Sequence, residues 1–289
     1  MATPVNASNF KLNRKRIQPG LIFVYAALIL ISCVCIVPLY WMLRSSVMSN
    51  GEIFLYPPIF FPKNIRIDNY RKAFESFDAM KYFLNTLRIL IPCVIGTVAT
   101  SAMAGYALAR IRLPGKRFWF ALVVASMILP GHVTLIPQYV TYSKLDMINS
   151  YWPFYFGAWL GGGATNVFLM RQFMMTIPKD YDEAAYLDGA NRMQIFVRVI
   201  LPMIVPILIT VSIFSFMGYW NDFQGPLIYL QTDDNFTLAL GMMLFRSEKS
   251  NKHNLMMAAG MVMVVPAIIL YGIGQRYFIE GINLTGIKG

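Results

Sequence analysis

From Leu21 to Leu43 the chain carries no charged residue. A helix over that run is about 34 Å long at about 1.5 Å per residue, enough to cross a hydrocarbon core of ~30 Å. Comparable apolar runs recur at 87–109, 118–140, 151–170, 200–220 and 255–279. Lipid offers no partner for backbone N–H and C=O groups, so runs of this length must form helices that bond internally. The expected fold is therefore an all-α polytopic membrane protein with six transmembrane helices. Composition agrees. Apolar residues make up 57% and charged residues 13%, and the mean hydropathy is +0.52. A soluble domain carries about twice that charge.

The net charge of +11 would point to nucleic acid on a soluble chain. Here the basic residues collect at span ends. Lys11, Arg14, Lys15 and Arg16 precede the first run, and Arg110, Arg112, Lys116 and Arg117 follow the second, with no acid in either cluster. Both clusters belong inside, and six spans then place both termini in the cytoplasm. Arg44, at the end of the first run, departs from this pattern. The first run is too long for a secretory h-region and reads as a retained helix. Residues 1–20 form a short cytoplasmic segment, 21–279 the transmembrane domain and 280–289 a cytoplasmic tail.

Cys33 and Cys35 are two residues apart on one helix and point to different faces, which argues against a disulfide between them. With only His132 and His253 besides, the sequence offers no metal framework. His132, within the third run, is expected neutral and bonded to a carbonyl freed near Pro137. Thr97, Thr100, Ser101, Asn166, Gln172, Ser212 and Ser215 could line a polar path or bond between helices at ~0.6 kcal/mol each. The sequence leaves the substrate-binding residues unknown. Gly157 and Gly161 form a small-xxx-small pair suited to close packing, and Gly161-Gly162-Gly163 can break the fourth helix. Tyr70, Phe74 and Phe77 mark a short amphipathic helix from Asp68, lying on the membrane or against the bundle. Trp220 sits at a span end, the usual place of an interfacial anchor.

Residues 171–199 are polar and balanced in charge. Pro178 opens the segment, and Asp180, Asp182 and Glu183 occupy a first helical turn, where the helix dipole favours acids. Gly189 can end that helix in the left-handed conformation, and Asn191 can cap the next. Pro202 marks entry into the fifth span. The pattern is helix, glycine turn, helix, membrane: a docking element for a cytoplasmic partner, or a connector that caps the bundle.

Glu183-Ala184-Ala185, then Gly189, then Val199-Ile200-Leu201-Pro202 resembles the EAA loop of ABC importer permeases, with Val199 in place of isoleucine. Gly105-Tyr106-Ala107-Leu108-Ala109-Arg110, Leu135-Ile136-Pro137, Trp220-Asn221-Asp222-Phe223 and the ending Leu284–Gly289 resemble the shorter permease subunit of maltose-type carbohydrate transporters. The resemblance implies the type I importer permease fold, with the coupling loop between helices 4 and 5. It also implies that Glu183, Ala184, Ala185, Asp188, Gly189, Leu201 and Pro202 serve ATPase coupling, and that Thr285, Gly286, Lys288 and Gly289 of the tail reach the ATPase pair. The implied partners are a second, homologous permease, two ATP-binding subunits and a periplasmic or lipid-anchored solute-binding protein, all in the bacterial inner membrane or against it. No nucleic acid is implied.

No Gly-x-x-x-x-Gly-Lys-Ser/Thr loop is present. The chain is therefore expected to be a non-enzymatic subunit without cofactors, with ATP and Mg held by the partner ATPase. Sugar or oligosaccharide import is the expected function. The same architecture serving another solute, such as glycerol phosphate, is the second reading. A stand-alone secondary transporter would need coupling-ion carboxylates, and none of the six runs contains Asp or Glu.

Overall fold

The computed structural model describes the backbone of residues 19–76, 78–248 and 251–286, and side chains for all of these except 19, 246–248 and 276–286. Among the described residues the fold is helical, with no strand. Helix α1 spans Pro19–Ser46, followed by the short α2 (Asn50–Ile53) and α3 (Asp68–Ser76). The longest of the next group is α4, Ala79–Arg110; α5 (Lys116–Ile128), α6 (Gly131–Lys144), α7 (Trp152–Gly161) and α8 (Ala164–Thr176) follow. Beyond them lie α9 (Asp180–Leu187), α10 (Arg192–Ile195), a π-helical turn (Phe196–Ile200), α11 (Leu201–Met203) and α12 (Val205–Trp220). The chain ends with α13 (Gln224–Tyr229), a 3₁₀ turn (Asp233–Asn235), α14 (Leu238–Glu248) and α15 (His253–Gly286).

Among the described residues, three helices are long and apolar enough to cross a membrane unaided: Gly20–Ser46, Ala79–Arg110 and His253–Gln275. Two bent pairs bring the number to five if each pair is one span. The expected third span, 118–140, is two helices meeting at 101°. Pro130 supplies no N–H, and Leu129 before it takes an extended ψ of 121°. The fifth span is entered through a 79° bend between Arg192–Met203 and Val205–Trp220, where Pro202 and Pro206 interrupt the hydrogen-bond ladder.

The fourth segment is broken between α7 and α8. Gly162 and Gly163 have φ of 61° and 80°, a conformation that costs other residues energy. A Cβ on Gly162 would lie 2.7 Å from the backbone N of Ser101 on α4. Gly157 and Gly161, the expected packing pair, face open space. Close approach is instead made by Gly162, by Gly96 under the Trp159 indole, and by Gly105 against Met170. Both glycines of the expected pair lie on α7, but among the described residues no other helix of this chain packs over that face.

Helix α4 is the centre of the bundle and packs against α7, α8 and α12. Its N-terminal residues are tied to the loop after α13. The Lys81 ammonium lies 2.6 Å from Asp233, and Tyr82 donates to the same carboxylate. Asn85 donates to the carbonyls of Asp234 (2.6 Å) and Phe236 (3.1 Å). Helix α3 lies against the bundle: Ala73 is buried with Phe245, Leu255 and Ala258. Its Asn69 donates to Ser46 O and Met48 O at 2.8 Å each. Arg44 is 3% exposed, its guanidinium 4.2 Å from the Trp41 ring centre, and its three nitrogens have no hydrogen-bond partner among the described residues.

Two single-residue expectations are corrected. Trp220 is 2% exposed, stacks on Phe216, and donates its indole N–H to Met263 O at 2.9 Å. It ties α12 to α15 and is no interfacial anchor. His132 meets the Gln224 amide at 3.2 Å through Nδ1, not a carbonyl near Pro137, because the turn at Pro130 carries it to the start of α6 beside α13.

Candidate functional site

The loop between α8 and α12 is built on a buried floor. Tyr106 of α4, Phe173 and Met174 of α8, Ile195, Phe196 and Ile200 form one apolar cluster, against which Ala185 and Leu201 pack. Helix α9 projects from this floor and has no buried residue of its own. Asp180, Asp182 and Glu183 do occupy its first turn. Glu183, Ala184 and Asp188 are exposed, and Ala185 is half-buried.

The helix ends in a Schellman motif. The N–H of Ala190 bonds Ala185 O, and that of Gly189 bonds Tyr186 O, both at 3.0 Å. Gly189 has a φ of 83°, as that motif requires, with open space around it. Asn191 then starts α10 with a capping box: its side chain accepts from Gln194 N at 2.9 Å, and Asn191 N donates to the Gln194 side chain at 2.8 Å. The turn from 196 to 200 widens into a π-helix just before Pro202, whose ring removes one backbone donor.

Leu187 is 87% exposed at the tip of α9, with Tyr186 beside it and Met193 on α10. These apolar residues were not singled out from the sequence. The signal was there, in two large side chains directly after Ala184-Ala185 on an otherwise polar helix.

One attachment was not legible at all. Arg110, the last residue of α4, reaches α9: its Nη1 is 2.9 Å from Asp182 Oδ2, and its side chain is 5% exposed. Its Nη2 donates to the carbonyls of Met174 (2.7 Å) and Ile177 (2.6 Å). Burial pushes the Asp182 carboxyl up, with Glu183 adding to it; Arg110 and Lys179 pull the other way. Lys116 closes the α4 terminus, donating to Ala109 O (3.0 Å) and Ile111 O (3.2 Å). Between the α4–α5 loop and the α9–α10 turn lies a cavity of about 980 Å³, with Arg110, Arg112, Lys116, Lys179 and Arg192 set against Asp182 and Glu183.

In the tail, Thr285 and Gly286 fall at the end of α15, where only the backbone is described; Lys288 and Gly289 lie outside the described residues. Most polar groups inside the bundle bond within it. Thr100 donates to Gly96 O and Ala158 O, Asn166 to Gly162 O, and Ser212 to Leu208 O; Ser101 donates to Val98 O. Thr97 meets the Tyr219 hydroxyl at 3.2 Å, and Gln172 accepts from Arg171. The Ser215 hydroxyl is buried without a partner among the described residues.

Residues 96–283, well over half the chain, match the family described as binding-protein-dependent transport system inner membrane component. The chain belongs to that family. This permease is 32% identical over 232 residues to the arabinooligosaccharides transport system permease protein AraQ of Halalkalibacterium halodurans, covering 80% of this chain and 82% of that one. It is 30% identical over 261 residues to the melibiose/raffinose/stachyose import permease protein MelC of Bacillus subtilis, covering 90% and 94%. It is also 32% identical over 254 residues to the diacetylchitobiose uptake system permease protein NgcG of Streptomyces coelicolor, covering 87% and 84%. Its fold is that of a chain in the crystal structure of a bacterial ABC transporter involved in the import of the acidic polysaccharide alginate. The TM-score is 0.78 at 22% identity, over 89% of this chain and 96% of that one. The expected all-α importer permease fold and the assignment to the ABC importer permeases both stand.

Proposed function

We propose that this permease imports a sugar or oligosaccharide, driven by ATP hydrolysed on separate subunits. In this reading the chain crosses the inner membrane six times, with the α7–α8 segment as the remaining span and both termini in the cytoplasm. A second permease pairs with it, two ATPases bind the cytoplasmic face, and a solute-binding protein delivers substrate from outside. The ATPase closes on ATP and pushes α9, and the bundle opens outward.

The observation that carries this reading is the α9 tip. A short helix with no buried residue presents Tyr186 and Leu187 to solvent, held by a glycine turn and a capping box. A connector has no use for an exposed apolar tip, whereas a protein contact does. Glu183 flanks the tip and can pair with a cation on the ATPase. The carbohydrate assignment is supported by the relatives, one a permease of an arabinooligosaccharides transport system and another a melibiose/raffinose/stachyose import permease.

The test is to express the permease with its neighbouring transport subunits and reconstitute them in vesicles. A ligand screen on the binding protein should select a sugar, and that sugar should stimulate ATP hydrolysis and uptake together. Glu183→Lys should abolish uptake while the chain still inserts. A binding protein that ignores sugars would remove the substrate assignment. Normal uptake by Glu183→Lys would reduce the loop to a connector.

A further inference from the structure

We infer that Arg110 and Asp182 are a positioning pair that makes α4 and the docking helix α9 move as one piece. The inference rests on the coupling role proposed for α9. That helix buries no residue, so core packing does not fix its aim. Ala185 touches the apolar floor, and the glycine turn links α9 to α10. Among the described residues, the polar attachment from outside its own loop is the guanidinium of Arg110.

That guanidinium joins three segments. Arg110 ends α4; Met174 and Ile177 lie at the end of α8, where carbonyls lose their intrahelical partners; Asp182 lies in the first turn of α9. The planar fork of an arginine fixes direction as well as distance, which a lysine ammonium cannot.

The pair is poorly explained as a stabilising device. Arg110 Nε and Asp182 Oδ1 are both buried without hydrogen-bond partners among the described residues. Desolvating two charges offsets most of their attraction, and an apolar pair of similar volume often holds a fold as well. What an apolar pair lacks is orientation. The two carbonyl bonds alone would cap α8. The bond to Asp182 adds nothing to that cap and ties α9 to the last turn of α4. A push on α9 is thereby delivered to the central helix of the bundle.

The experiment uses the full transporter in vesicles and measures substrate molecules imported per ATP hydrolysed. Asp182→Asn keeps both carbonyl bonds of Arg110 and should lower that ratio at least fivefold in complexes that still assemble. Arg110→Lys should lower it too. The double variant Arg110→Met/Asp182→Leu removes both charges together; it should assemble at the wild-type level and remain uncoupled. If it fails to assemble, Asp182→Asn decides. A wild-type ratio in Asp182→Asn or in the assembled double variant would overturn the inference while leaving the functional reading intact. Failure of the unaltered chain to hold an ATPase would overturn that reading, and this inference with it.

Discussion

Gly162 lies against α4 so closely that a Cβ on it would sit 2.7 Å from the backbone N of Ser101 and 2.8 Å from Thr97 O. Both neighbours are backbone and cannot turn aside. Gly162→Ala therefore meets two penalties, about 1–2 kcal/mol for the left-handed conformation and about 1–3 kcal/mol for overpacking. Thermal unfolding in detergent should show a drop of several degrees. Gly157→Ala, in open space, should show none.

Gly189 offers the contrasting case. Its φ of 83° is as demanding, but no atom lies within 4 Å of its would-be Cβ. The cost of substitution is conformational alone. Gly189→Asn should keep much of the uptake, because asparagine tolerates this region, whereas β-branched Gly189→Val should lose at least tenfold. Equal uptake by the two variants would show that the turn does not set the aim of α9.

Acid should uncouple before it unfolds. The Asp182 carboxyl is held above the ordinary carboxylate range, chiefly by burial, so it protonates at higher pH than an exposed Asp. A raised carboxyl means that the folded state binds the proton more tightly. This group's contribution to stability therefore grows as pH falls and is lost as pH rises through its folded value. The ion pair runs the other way and disappears on acidification. Arg110, Lys179 and Glu183 act on this carboxyl, and Arg112, Lys116 and Arg192 line the same cavity. Import per ATP should fall between neutral pH and the ordinary carboxylate range in the wild type, and the fall should be absent from Asp182→Asn. Parallel pH profiles would assign the fall to another subunit.

Trp220 should act through its indole N–H. Trp220→Phe keeps the stack on Phe216 and loses the bond to Met263 O, worth about 1 kcal/mol. A fall of a few degrees in the unfolding temperature, with little change in tryptophan-independent packing, is the expected result. A wild-type unfolding temperature would show that water replaces the bond.

Orientation can be read by labelling. Single cysteines at Lys116 and Tyr186 should react only from the cytoplasmic side, and one at Asp234 only from outside. Outside labelling at Lys116 would invert the topology.

Local signals in the sequence survive into the structure wherever the chemistry is short-range. The acids opening α9, the glycine that ends it and the Asn191 cap were each legible, because a helix end is decided within a few residues. The helix from Asp68 was legible too, and its contacts with α14 and α15 decide between membrane and bundle. Hydropathy misjudged continuity. It sees the apolar run at 118–140 but not the turn at Leu129-Pro130, where one missing N–H outweighs the run. It also could not pair Arg110 with Asp182, since that contact depends on where α8 ends. Trp220 was misplaced for the same reason: its partner, Met263, lies on another helix.

The bare tip of α9 bears on how the subunit exists in a cell. Burying one leucine side chain is worth about 1.5–3 kcal/mol, and in the proposed docking role Leu187, with Tyr186 beside it, is buried only when a partner covers it. A copy made in excess of its partners therefore displays an adhesive spot to every chaperone and protease it meets. Orphan copies should be cleared faster than assembled ones, so the supply of partner sets the amount of permease that persists.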